Sequence, residues 1–326
     1  MQDLVKHIPD IKDITRNTHM CRLNTIMNKI GIDDIFYILS HPKESYSKLV
    51  LINKNDAYLS NLVSSVCKVL SSSTSLPHNY KKLFYDDWKG FMMKHSKIVQ
   101  DNYSNNNLNQ DKLSTIVHWD QIQDVFCKLK NCVDTFTDFT IHMHFMVMVV
   151  MLFIHPKRAD LGKVFILNKK PTDATYNYIV LIPNGQSFLA MNSYKTAKVY
   201  KEIIEDLDIE FVNLLIRSLK AFPRKYLFGF ILQNHIVPYE LNNSYGHFVQ
   251  RAFFTLFGKA QGVSLWRHVY IRERIDFNMM SHKELRKKAR LMGHSIGQQL
   301  SVYKYINNHK EPHVFSNDPV TCKKAK

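Results

Sequence analysis

Ten consecutive residues, FMVMVVMLFI at 145–154, carry no polar side chain. Crossing a bilayer takes roughly 20 apolar residues, so the run is too short to span one. Histidines flank it on both sides. A helix that is apolar on every face has to be surrounded by other elements. The run therefore predicts a central helix in a large core, and no membrane is expected as a partner. The N-terminal MQDLVKHIPDIKD likewise lacks the apolar stretch of a signal peptide.

The rest of the chain divides around a polar stretch, SNNNLNQ at 104–110, which has no apolar period and reads as a linker. Before it, everything reads as helix. TRNTHMCRLNTIMNKIG (15–31) repeats apolar residues at helical spacing, with Thr15 as the cap and Gly31 as the stop; DDIFYIL, 56–70 and 80–103 follow. After the linker, 119–131 and 134–154 read as helices. KVFILN, YNYIVLIP and QSFLAMN (163–192) read as short strands, and helices return from about 209 onward. The expected fold is mainly α (α+β): an all-helical domain over 1–108, then a domain over 109–326 of helices with a small antiparallel sheet.

Lys and Arg number 44 against 28 Asp and Glu, a formal net charge of +16. That excess points to a polyanionic partner, nucleic acid first. The five cysteines show no CxxC pair, which fits reduced thiols in an intracellular protein; nucleus and cytoplasm are not distinguished. His142 and His144 in HMH point to different helix faces and read as packed histidines, so no metal site is expected.

Four short segments carry chemistry. HPKRADLGKV (155–164) holds Arg158, followed two residues later by Asp160. MNSYKTAKVY (191–200) holds Lys195, with Lys198 as its rival. SLWRHVYI (264–271) holds Ser264, Arg267 and His268. LMGHSIGQQLSVY (291–303) holds His294, with Tyr303 nine residues beyond it. In this order the segments resemble the boxes of the tyrosine recombinases, also called phage-type integrases: an arginine box, a hairpin lysine, a His-x-x-Arg-His box and a Leu-Gly-His-Ser box ending in the nucleophilic tyrosine. Two departures stand out. Ser264 occupies the histidine position of the third box. Asp160 follows Arg158 by two residues, where the family more often has Glu at three. A composition heavy in Asn, Lys, Ile and Tyr, with the YKT hairpin, resembles recombinases of large DNA viruses and virophages.

The resemblance implies a helical core-binding domain that clamps double-stranded DNA, a catalytic domain, and a tail that docks onto a neighbouring subunit of a dimer or tetramer. It implies site-specific cleavage and rejoining of DNA through a 3′-phosphotyrosyl intermediate, as in integration or excision of a mobile element. The chemistry suits the residues. Guanidinium groups grip phosphate bidentately, hence Arg158 and Arg267. His294 offers a further hydrogen bond, with Ser264 and His268 as additional candidates. Lys195 protonates the leaving oxygen, and Tyr303 attacks. Tyr305 lies about 200° around a helix from Tyr303 and is assigned to packing. No cofactor is required. The basic run KELRKKARL places Lys283, Lys287 and Arg290 for contacts to the DNA backbone. Two alternatives stay open: a type IB-like topoisomerase, and a DNA-binding protein that has lost catalysis, for which Ser264 is the best support.

Overall fold

The structure is a computed structural model that describes residues 2–104, 114–182 and 185–299. Tyr303, Tyr305, the C-terminal tail and most of the polar stretch 104–110 lie outside the described residues. The chain separates into two compact units, Met1–Asn107 and Leu108–Lys326.

The first unit is all helical: α1 (Gln2–Lys6), α2 (Asp13–Ile30), α3 (Ile35–Ser40), α4 (Pro42–Ile52), α5 (Asp56–Ser72) and α6 (Tyr80–Ser104). Helix α2 starts before the expected cap, with Lys12 rather than Thr15 at the N-cap, and it ends at Gly31. Helix α3 ends at Ser40, just before His41-Pro42. Pro42 opens α4 at its first position, where a missing N–H costs nothing. Leu23, Ile26, Leu62, Val66 and Trp88 are among the core side chains. A polar chain crosses the helices: Tyr46 Oη lies 2.8 Å from His95 Nε2, and His95 Nδ1 lies 2.7 Å from Asp56 Oδ1.

The second unit is built around α8 (Phe139–Phe153), in which every residue from His142 to Leu152 is buried. The apolar run is thus a core helix. His142 bonds Ser218 Oγ at 2.6 Å and His144 packs on Phe248. Around α8 lie α7 (Trp119–Leu129), α10 (Ile209–Ala221), α11 (Asn242–Phe257), α12 (Val263–Arg274), α13 (His282–Leu291) and the short α14 (Ile296–Gln298). A four-stranded sheet has the order β1 (Phe165–Leu167), β2 (Tyr178–Val180), β3 (Phe188–Met191), β4 (Ile203–Asp206), with α9 (Ala197–Tyr200) between the last two. The sheet is mixed rather than wholly antiparallel. β1 runs parallel to β2, because the segment 168–177 returns the chain to the end where β1 began and sets Phe165 beside Tyr178. A hairpin, β5 (Phe230–Leu232) and β6 (His235–Val237), stands where only helix was expected. Gln233 and Asn234 at its tip both have positive φ, the two-residue turn that matches strand twist.

Among the described residues no helix is long and apolar enough to cross a membrane. Among the described residues Cys21, Cys67 and Cys132 are free thiols.

Candidate active site

Core helix α8 delivers the first segment. Beyond it, Lys157 turns inward, is 5 % exposed, and donates to the Glu205 carboxylate of β4 and to the Leu291 carbonyl at 2.5 Å. Glu205 also accepts from the backbone N–H and Nδ1 of His155 at 2.8 and 2.7 Å. Burial alone would raise the Glu205 carboxyl, but Lys157 and His155 overcome it and hold the group at about 2. The next residue is Arg158. It caps the short 3-10 turn Ala159–Lys163 and is half-buried.

Lys195 sits in the β3–β4 connection, just before α9, and is exposed. Buried Asn177 shapes this loop. Its Nδ2 donates to the Asp160 and Ser193 carbonyls at 3.1 and 2.8 Å, while its Oδ1 accepts from the N–H groups of Asn192 and Ser193. One amide therefore joins the Arg158 segment to the Lys195 loop.

Helix α12 brings Arg267, which is 2 % exposed. Its Nη2 donates to the Pro156 and Met292 carbonyls, each at 3.2 Å. Ser264, one turn earlier, is exposed, and Gly262 occupies the N-cap.

Helix α13 has a capping box, Ser281 with Glu284, and buries Leu285 and Ala289. Lys283, Lys287 and Arg290 are exposed on it. The helix ends at Gly293, with φ +68°, a left-handed residue that glycine adopts at least cost. The His294 N–H returns to the Ala289 carbonyl at 3.1 Å. Thr196 Oγ1 donates to the Gly293 carbonyl at 2.8 Å, tying the turn to the Lys195 loop. Ser295 caps the next helix by accepting from the Gln298 N–H.

His294 is buried, and burial, reinforced by Arg267 and Arg158, pulls its imidazole down to about 4. It is neutral at pH 7. Its Nδ1 lies 3.0 Å from the Ser295 carbonyl, an oxygen that only accepts, so Nδ1 carries the proton and Nε2 carries the lone pair. In this state Nε2 offers a lone pair.

Arg158, Lys195, Ser264 and Arg267 line one open cleft of about 500 Å³. Arg158 also borders Met292 and Gly293 in an adjoining small pocket. Asp160 lines the cleft too; burial raises its carboxyl, and the two arginines oppose that rise. Three cations against one acid make a site for an oxyanion. Lys198 and His268 are not among the described residues that line it. Tyr303 lies outside the described residues. Among those residues no group of three or more His, Cys, Asp or Glu could hold a metal ion.

Sequence reasoning missed Lys157 and Asn177, which position the site, and His247 and Gln250 of α11, which line the cleft. None has a local signature. Asn177 precedes a strand in TYNYIV, and His247 falls inside an ordinary helix, SYGHFVQ.

The chain matches no known family model, and no curated protein matches it.

Proposed function

We propose that the protein cleaves and rejoins double-stranded DNA as a site-specific recombinase of the tyrosine type, in integration or excision of a mobile or viral element, with subunits paired on the DNA. The observation that carries this reading is the convergence of Arg158, Lys195 and Arg267 on one cleft, bonded through Thr196 and Arg267 to the turn that holds His294.

In the proposed reaction the Tyr303 hydroxyl attacks phosphorus. A phosphotyrosyl bond forms and the bond to the 5′ oxygen breaks. The tyrosine proton passes to Nε2 of neutral His294, and Lys195 supplies the proton that the leaving oxygen needs. Arg158 and Arg267 stabilise the charge on the nonbridging oxygens throughout. Reversal by another 5′-hydroxyl reseals the strand without ATP. Ser264 favours a second reading, DNA binding without catalysis, because a hydroxyl is a weaker phosphate partner than an imidazolium.

The test is a covalent adduct that survives denaturation. The full chain is incubated with labelled random-sequence duplex DNA, and bound DNA is sequenced. Tyr303→Phe should abolish the adduct and leave DNA binding within about twofold, since one oxygen is lost. Tyr305→Phe should retain most of it. An adduct that persists in Tyr303→Phe refutes the assignment; its absence from the unaltered chain favours the binding-only reading.

A further inference from the structure

Ser264 leaves the third box without its histidine, yet an imidazole reaches the cleft from another helix. His247 of α11 is exposed and lines the cleft together with Arg158, Ser264 and Arg267. Its orientation is built in. Nδ1 lies 3.3 Å from Gln250 Oε1, three residues along the same helix face. An amide oxygen only accepts, so Nδ1 carries a proton and Nε2 is the nitrogen left to meet a ligand. Gln250 lies beside the start of α12, where a Cβ added at Gly262 would stand 3.4 Å from Gln250 Nε2.

We infer that His247 is a catalytic residue that contacts a nonbridging oxygen of the phosphate held by Arg158 and Arg267, filling the role left vacant by Ser264. The contact is a hydrogen bond from Nε2–H, made when both ring nitrogens carry a proton, with Nδ1 donating to Gln250 and Nε2 to the phosphate. The assignment rests on the cleft being a phosphoryl-transfer site. It also explains how a serine is tolerated at 264, since the imidazole is supplied by α11 instead of α12.

The experiment uses the full chain, with orthovanadate as an oxyanion probe and covalent adduct formation as the second readout. His247 is exposed, so His247→Gln leaves the core untouched, and thermal melting reports that each variant folds. His247→Gln should bind vanadate about tenfold more weakly, the loss expected of one hydrogen bond to a charged group. It should form adduct on the order of 100-fold more slowly, the usual cost of one transition-state donor. Adding Ser264→His to that variant should restore both. A His247→Gln protein that matches the unaltered chain in both readouts overturns the inference, as does a loss that Ser264→His leaves unrepaired. If the unaltered chain forms no adduct while vanadate binding falls and recovers as stated, His247 stands as a phosphate ligand and strand transfer is the reading that fails.

Discussion

Gly293→Ala separates the geometry of the His294 turn from the stability of the fold. At 293 the backbone has φ +68°, and an added Cβ would meet Thr196 Oγ1 and the Tyr194 ring at 3.5 Å, ordinary contact distances. The substitution therefore brings no clash. Its cost is that of a left-handed alanine, roughly 1–2 kcal/mol. For a unit of this size, that lowers the melting temperature by about 2–8 °C. The turn can relieve the strain only by rotating, which would break the Thr196 bond to the Gly293 carbonyl and displace His294. A displacement of about 1 Å costs on the order of 100-fold in rate. Gly258→Ala is the control, because Gly258 has φ +69° at the end of α11 and nothing within 4 Å of an added Cβ. Both variants should melt lower by similar amounts, by calorimetry. Only Gly293→Ala should lose adduct formation when assayed well below both melting points. Equal adduct rates in the two variants would refute the positioning role of the turn.

The acid response follows from buried imidazoles. His142 and His294 are each held at about 4 by burial, below their ordinary value of about 6.5, so the unfolded chain takes up protons first as pH falls. Their contribution is complete above the ordinary value and is lost as pH drops through about 4, near 2 kcal/mol each at about pH 5. Glu205 adds to the loss only further down, towards about 2. Urea melts at about pH 7.5 and 5 test this, and equal midpoints would contradict it. Lys195→Ala should slow cleavage by about 100-fold or more, as loss of a general acid does, and Lys198→Ala should not; a substrate with sulfur at the leaving position needs no proton and should rescue Lys195→Ala. Adduct formation should persist in EDTA, since arginine and lysine neutralise the phosphate; loss on chelation with recovery on added magnesium would exclude the mechanism.

Periodic and local signals were legible in the sequence. Apolar spacing marks α2 and α5, an unbroken apolar run marks α8, and the two-unit order follows from where helical pattern gives way to a polar stretch. Gly31 was readable as a helix end because left-handed backbone selects glycine whatever surrounds it. The order of Arg158, Lys195, Arg267 and His294 was readable for the same reason, since each sits in a short motif. Tertiary structure decided the rest. That Arg158, Lys195 and Arg267 face one cleft depends on hydrogen bonds between segments far apart in the chain: Arg267 to Pro156 and Met292, Thr196 to Gly293, Asn177 to Asp160 and Ser193. The parallel pairing of β1 with β2 and the inward turn of Lys157 towards Glu205 are of this kind as well. A polar side chain that bonds a distant carbonyl leaves no period in its own neighbourhood, because its partner is fixed by the path of the backbone. His247 is the clearest case. Its sequence context is an ordinary amphipathic helix, and only the packing of α11 beside the start of α12 brings its ring to the cleft.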